Sequence, residues 1–252
     1  MLLAVGVLVM ASLVLGALAA VRFQLPSWLA SMLTAFGGGI LLAAVALELL
    51  PAADAAAGKW LTAGGVLAGT AIYIGADAWL SRDSEIEMMR RSGHAAASGA
   101  PMPMMASGDT AATARGEAIA VGIVIDGIPE SVALGLMVAA GEGGFALLAA
   151  VVLGNLTESY GATQPLLVGG RSRRFAVGSI TGIGLALGLA TVLGGTLLAG
   201  APLAVIGTLQ AIASGAILAV LSISIIPYAF DEVRRSVAVA VALGLVLGYL
   251  LG

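Results

Sequence analysis

Long apolar stretches dominate this chain, and they constrain its fold more than any other feature of the sequence. Most of them reach the length of about 20 residues that a helix needs to cross the hydrocarbon core of a bilayer. We therefore predict an all-α integral membrane protein with eight transmembrane helices. The predicted spans are Leu2–Ala20, Trp28–Leu50, Trp60–Leu80, Ile119–Ala140, Phe145–Val168, Phe175–Ala199, Leu203–Tyr228 and Val237–Leu251.

The composition agrees with a membrane protein and excludes several kinds of site. Hydrophobic residues make up 60% of the 252 residues and charged residues only 10%, whereas a soluble domain carries about 25% charged residues. The net charge of −3 argues against a nucleic-acid partner. The chain has no cysteine and one histidine, His94. Disulfides, thiolate metal sites and multi-histidine sites within one chain are therefore excluded.

The basic residues predict an orientation in the membrane. If all eight stretches span, every arginine falls in connections on one side and only Lys59 falls on the other. Basic residues concentrate on the cytoplasmic side of membrane proteins, so both termini are expected outside the cytoplasm. No basic residue precedes the first stretch, which we therefore interpret as a span rather than a signal peptide. The compact loops fit a bacterial inner membrane.

The connection 81–117 differs from the rest of the chain. It is rich in Ser, Gly, Ala and arginine, and it contains His94 and the run Pro101-Met102-Pro103-Met104-Met105. Such a composition favours a flexible cytoplasmic loop between the third and fourth helices. His and Met could contact soft metal ions, but a linker is the simpler interpretation. We treat 1–252 as a single transmembrane domain that includes this loop.

Two stretches of the chain resemble each other. Residues 39–43 read Gly-Ile-Leu-Leu-Ala and lead to Glu48 and Pro51, while residues 215–219 read Gly-Ala-Ile-Leu-Ala and lead at the same spacing to Ser224 and Pro227. In the predicted topology the first stretch runs outward and the second runs inward. Similar segments of opposite orientation indicate an inverted repeat, which is common in transporters.

Carboxylates inside predicted spans are the candidate functional residues. Asp126 and Glu130 lie four residues apart on one face of the fourth helix, and Asn155 and Glu158 lie three apart on the fifth. A charge in a membrane costs about 2.5–3.5 kcal/mol on the translocon scale, so it needs a reason. The short connection Gly141–Gly144 makes the two helices antiparallel neighbours. They would then bring together three carboxylates and an amide near the midplane.

Local features favour a cation at this point. Pro129 has no N–H, so the carbonyl of Ile125 loses its helical partner and the helix tends to kink. Small residues surround the acids and leave room for an ion, namely Gly127, Ser131, Ser159, Gly161 and Ala162. Two other interpretations remain open, protonated acids that only hydrogen-bond between helices and a proton relay. Cation binding explains the clustering of all four polar residues best.

These motifs resemble the ZIP (Zrt/Irt-like protein) family of divalent metal transporters. That family builds its metal site from His-Asn-x-Pro-Glu-Gly on helix four and His-Glu-x-Pro-Glu-Gly on helix five. Here 126–131 reads Asp-Gly-Ile-Pro-Glu-Ser and 154–159 reads Gly-Asn-Leu-Thr-Glu-Ser. The resemblance implies eight helices in a 3+2+3 arrangement with an inverted repeat, and a metal site of Asp126, Glu130, Asn155 and Glu158.

The departures from the family pattern are specific. Gly127 and Thr191 stand where ligands of a second metal would be, and the sixth helix has no acid. The resemblance therefore supports one site and puts a second in doubt. Thr157 replaces the proline of the second motif, so helix five is expected to be straighter.

The resemblance implies transport of divalent metal ions, with zinc, iron or manganese as substrate rather than cofactor. All-oxygen ligation suits harder cations such as Mn²⁺, although Zn²⁺ also binds carboxylates. A proton- or cation-coupled transporter and a metal sensor that does not transport are the alternatives. No His-Glu-x-x-His motif is present, so we do not expect an enzyme. The expected partners are the lipid bilayer and metal ions, and small-residue packing allows a homodimer.

Overall fold

The computed structural model describes residues 1–23, 25–80, 109–141, 144–168, 170–198 and 200–252, and every regular element within them is helical. The elements are α1 (Leu2–Arg22), α2 (Ser27–Ala43), the π-helical stretch π1 (Ala44–Leu49), α3 (Leu50–Ala57), α4 (Lys59–Leu80), α5 (Asp109–Ala140), α6 (Phe145–Val168), α7 (Arg173–Leu198), α8 (Leu203–Val220), the π-helical stretch π2 (Leu221–Ile225), α9 (Ile226–Val233) and α10 (Ser236–Leu251). Residues 81–108 of the predicted loop, with His94 and the Met run, lie outside the described residues. Helix α5 begins at Asp109, within the stretch assigned to that loop.

Five helical segments in the described residues are long and apolar enough to cross a membrane. They are Leu2–Arg22, Trp28–Ala57, Phe145–Gln164, Arg173–Leu198 and Leu203–Ile223. Two shorter apolar helical segments are Gly127–Ala140 and Ser236–Leu251. Large apolar side chains are also exposed on the outside of the helices, for example Leu67 and Leu197. A surface of this kind is stable against lipid rather than water, so the all-helical fold fits an integral membrane protein.

The two similar stretches form the same succession of elements. Helix α2 follows Pro26 as its N-cap and passes into π1, and α8 follows Pro202 and passes into π2. In each case a short helix with a proline in its first turn comes next, α3 with Pro51 and α9 with Pro227. The likeness seen in the sequence therefore extends to backbone structure.

Proline explains why both helices widen at this point. Pro51 has no N–H for the carbonyl of Leu47, and the residue before it bonds five residues back, from the Leu50 N–H to the carbonyl of Val45. The Ile226 N–H, next to Pro227, bonds in the same way to the carbonyl of Leu221. A π turn is a usual response of a helix to such a lost hydrogen bond.

Close contacts at glycines show the relative direction of the helices in two pairs. A Cβ built on Gly39 of α2 would touch the carbonyl of Val241, and one on Gly248 of α10 would lie 3.2 Å from the carbonyl oxygen of Ile40. Later residues of α2 therefore contact later residues of α10, so the two helices are parallel. The backbones pack closely because no side chain separates them.

The same arrangement joins α4 and α8. A Cβ on Gly65 would lie 2.6 Å from the Cβ of Ala211, and the Thr70 hydroxyl donates to the carbonyl of Gly215 at 3.0 Å. These helices are also parallel. Pair α4 and α8 thus mirrors pair α2 and α10, with α8 in the role of α2.

Helix α1 packs between α6 and α7. Gly6 and Gly188 face each other, since a Cβ on either would lie within 2.7 Å of the other's carbonyl oxygen, and Gly184 lies against Met10. The residue numbers rise in one helix as they fall in the other, so α1 and α7 are antiparallel. The main apolar core draws its largest buried side chains from several helices, among them Leu13, Ile40, Leu134, Leu147, Leu187 and Ile217.

Candidate metal site

The two helices that bear the acidic motifs pack on each other. Helix α5 ends at Ala140 and α6 begins at Phe145, and Gly141 and Gly144 both have a φ of 75° in the connection. This left-handed conformation favours glycine and lets the chain reverse within a few residues. The predicted contact between these helices is confirmed.

The acids of helix α5 stand on either side of Pro129. Pro129 lies inside the helix, and Glu130 beside it is half-buried. Asp126 belongs to the same helix, but its side chain lies outside the described residues. No group of three or more His, Cys, Asp or Glu side chains forms among the residues whose side chains are described, a set that holds Glu130 and Glu158.

Asn155 of α6 is held by α1. Its side chain is 3% exposed. The amide Nδ2 donates to the Ser12 hydroxyl at 3.1 Å and to the carbonyl of Val9 at 3.4 Å. The carbonyl oxygen Oδ1 is the side-chain atom of Asn155 with lone pairs for a metal ion, since the NH₂ group is a donor only.

Helix α6 carries its remaining polar groups close to Glu158. Glu158 is half-buried, and the neighbouring Ser159 donates its hydroxyl to the carbonyl of Asn155 at 2.5 Å. Thr157 donates to the carbonyls of Gly154 and Leu153 at 2.9 and 3.2 Å. The helix remains continuous from Phe145 to Val168. Its hydroxyls are therefore satisfied by the preceding turn, as is usual for Ser and Thr in apolar helices.

Ser131 behaves differently from these hydroxyls. It is 1% exposed, and its Oγ has no hydrogen-bond partner among the described residues. An unpaired buried hydroxyl costs about 1–3 kcal/mol, so such a group calls for an explanation. Ser131 lies four residues from both Gly127 and Gly135, on the face of α5 that packs against Leu187 and Thr191 of α7. Sequence reasoning counted it only as a small residue.

Gly127 and Thr191, two positions without a metal-ligand side chain, lie in the contact between α5 and α7. A Cβ on Gly127 would lie 2.5 Å from Cδ1 of Leu187 on α7. Thr191 is fully buried and donates its hydroxyl to the carbonyl of Leu187 at 3.1 Å. A Cβ on Gly135 would touch the carbonyl of Thr191. Helices α5 and α7 therefore pack along their length at the two positions that lack ligands.

Glu48 in π1 is hydrogen-bonded to the start of α6. Its two carboxylate oxygens accept the backbone N–H groups of Ala146 and Leu147, both at 3.2 Å. These N–H groups have no partner within the helix, and a negative charge is favourable at a helix N-terminus.

The comparisons find no family model and no curated protein that match this chain.

Proposed function

We propose that this protein carries divalent metal cations, with zinc, iron or manganese as substrate, across a membrane by alternating access. The metal would bind to Asp126, Glu130, Asn155 and Glu158 on helices α5 and α6. The observation that carries this proposal is the direct packing of two helices that each bear an acid and a second oxygen ligand within apolar surroundings. Half-buried carboxylates in such a place are expensive unless a cation or a proton accompanies them.

The donor set supports a cation of moderate hardness. Carboxylate and amide carbonyl oxygens suit Mn²⁺ and Fe²⁺, and Zn²⁺ accepts carboxylates as well. Ser131 is not included in this set, because it lies four residues from both Gly127 and Gly135, on the face of α5 that packs against α7. The apolar contact between Gly127 and Leu187 supports a single metal rather than an adjacent pair.

We propose further that the fold is an eight-helix 3+2+3 arrangement with an inverted repeat, similar to that of ZIP transporters. Two kinds of observation support it. The succession of proline N-cap, π stretch and short helix occurs in both halves. The pair directions also agree with eight alternating spans, since α2 runs parallel to α10 and α4 parallel to α8, whereas α1 runs antiparallel to α7.

This arrangement supports alternating access in a definite form. Helices α5 and α6 would hold the ion, and the two repeats would move against them so that the site opens to one side at a time. The carboxylates have to be deprotonated to bind the ion, so metal entry would release protons. A bacterial inner membrane with both termini outside the cytoplasm remains the proposed location.

Metal flux in proteoliposomes tests the proposal. We would compare uptake of Zn²⁺, Fe²⁺, Mn²⁺ and Mg²⁺ by the wild-type protein and by the variants Glu130→Gln and Glu158→Gln. Asp231→Asn is the matched control, because it is an exposed acid on α9. We expect saturable uptake of at least one ion by the wild type and the control, and uptake at the level of empty liposomes for both glutamine variants.

Thermal unfolding with added metal separates the alternatives. A proton relay would show no metal-dependent rise in Tm, and a sensor would show that rise without flux. If tight proteoliposomes take up none of the four ions, the transporter proposal fails. Uptake that persists in both glutamine variants would show that the ion passes elsewhere.

A further inference from the structure

A cavity of about 650 Å³ lies where three helix ends meet. The end of α1 contributes Val21 and Arg22, the end of α6 contributes Gln164 and Leu167, and the connection into α7 contributes Arg171 and Arg173. Its position at helix ends sets it apart from the candidate metal site, which lies in the middle of α5 and α6.

The rim of this cavity is strongly basic. Three arginines line it, in a chain with only 11 basic residues, and no acid is among the described lining residues. Arg22, Arg171 and Arg173 are exposed at the rim, and the guanidinium of Arg171 lies 4.6 Å from the centroid of the Phe175 ring. A planar guanidinium group can donate two parallel hydrogen bonds to two oxygens of one phosphate. Arginine is therefore the preferred residue for phosphate recognition.

The wall of the cavity is apolar in part and is held by hydrogen bonds. The residues Ala20, Val21, Phe23 and Leu167 line it together with the three arginines, Gln164 and Ser172. Gln164 donates from Nε2 to the carbonyl of Ala20 at 2.8 Å and so ties α6 to the end of α1. Tyr160 donates to the carbonyl of Phe23 at 3.2 Å, and its oxygen accepts the N–H of Leu25 at 2.6 Å. The turn that carries Arg22 is therefore held in place rather than left to move.

We propose that this cavity binds the phosphate headgroup of an anionic phospholipid through Arg22, Arg171 and Arg173. An apolar wall beside a cluster of arginines suits a molecule with a phosphate at one end and hydrocarbon at the other. Basic pockets at the ends of membrane helices recognise anionic lipid headgroups in this way. The inference rests on the placement of the helices in a membrane and is independent of metal transport.

General attraction to a membrane surface does not account for the cavity. Arg174 and Arg235 are also exposed and basic, but neither lines it. They provide a control that removes the same charge from outside the cavity. A true site has to distinguish the two pairs of arginines.

Native mass spectrometry of the full chain in detergent tests the proposal. Phosphatidylglycerol or phosphatidylcholine would be added to the wild type, to Arg22→Gln/Arg173→Gln and to Arg174→Gln/Arg235→Gln. We expect the wild type and the control to retain one phosphatidylglycerol in preference to phosphatidylcholine, and the cavity variant to bind it about tenfold or more weakly. The single variants Arg22→Gln and Arg173→Gln should each show part of this loss, and they replace the double variant if it does not fold.

Two results would overturn the assignment. If the cavity variant and the control lost phosphatidylglycerol equally, the binding would depend on net charge and not on the cavity. Displacement of the lipid by an equal concentration of soluble glycerol 3-phosphate would show that the site takes a free phosphate ester instead. Resistance to glycerol 3-phosphate, together with loss of binding only in the cavity variants, supports the lipid site.

Discussion

The carboxylate of Glu48 accepts the backbone N–H of Leu147 at 3.2 Å, across 99 positions of the chain. This contact, with its companion to Ala146, attaches the π stretch of the first repeat to the helix that carries Asn155 and Glu158. A movement of the repeat relative to α6 would have to break or carry along these hydrogen bonds.

Loss of this cap should destabilise the protein. Glu48→Ala leaves two N–H groups at the start of α6 without their acceptor, and we expect a loss of about 1–2 kcal/mol in the free energy of unfolding. Glu48→Gln keeps one oxygen acceptor without the charge and should fall between the wild type and alanine. Thermal unfolding in detergent measures both. Asp54→Asn on the neighbouring α3 serves as control, and an equal loss there would contradict the capping role.

Variants of Ser12 and Asn155 can separate the structural role of Asn155 from its proposed role as a metal ligand. Ser12→Ala removes one hydrogen bond between α1 and α6 but no proposed ligand, so it should lower stability by about 1 kcal/mol and leave the KM for metal uptake within about twofold. Asn155→Ala removes that hydrogen bond, the one to the carbonyl of Val9 and the proposed carbonyl ligand together. We expect its KM to rise by about tenfold, the lower range seen when groups that support a metal site are removed. Equal KM values for the two variants would reduce Asn155 to a structural residue.

Replacement by alanine should change the Tm in opposite directions at Ser131 of α5 and at Ser159 of α6. In the absence of metal, Ser131→Ala removes a buried hydroxyl without a described partner and should leave the Tm unchanged or raise it. Ser159→Ala loses the hydrogen bond to Asn155 and should lower the Tm. Saturating metal should raise the Tm of Ser131→Ala and of the wild type by the same amount, because residue 131 lies on the face of α5 that packs against α7. A smaller rise for Ser131→Ala would show that its hydroxyl contacts the ion.

The similarity of the two stretches predicts that alanine substitutions at Gly39 and Gly215 destabilise the protein to the same extent. A Cβ on Gly39 would meet the carbonyl of Val241, and one on Gly215 would meet the carbonyl of Val66. Gly39→Ala and Gly215→Ala should therefore each destabilise the protein by about 1–3 kcal/mol through overpacking. Gly64→Ala on α4 meets no atom within 4 Å and should be neutral or stabilise by up to about 1 kcal/mol. Tolerance of alanine at either contact glycine would count against the close packing of that pair.

The orientation can be read from single cysteines, because the chain contains none. Lys59→Cys and Arg235→Cys both replace exposed residues and should lie on opposite sides of the membrane. A membrane-impermeant maleimide should label Lys59→Cys in intact cells, and Arg235→Cys only after the membrane is opened. The same accessibility at both positions would rule out the eight-span topology.

The positions of several helices followed closely from the sequence, although α5 begins at Asp109, ten residues before the predicted fourth span. The predicted fifth span and α6 have the same bounds, Phe145–Val168, and the first and sixth spans differ from α1 and α7 by one or two residues at most of their ends. Apolar runs, glycines and prolines act within a few residues of themselves, so these signals are local. The similar stretches around Pro51 and Pro227 were visible for the same reason.

The partners of the polar residues did not follow from the sequence. The spacing of Asn155 and Glu158 predicted one helix face, but not that the amide nitrogen of Asn155 would be held by Ser12, 143 positions away. Ser131 looked like a small spacer until its burial and lack of a described partner were known. Neither residue has a local signal for the side chain that it meets.

The sequence by itself determined that this protein is a set of long apolar helices with acids in the middle of two of them. Only the tertiary structure decided that Glu48 caps α6, that Leu187 fills the space beside Gly127, and that Arg22 at the end of α1 lines one cavity with Arg171 and Arg173 before and at the start of α7. The physical reason is that helix formation depends on neighbouring residues along the chain. Contacts between helices depend on their rotation and register, and these are set by close packing at glycines far apart in sequence.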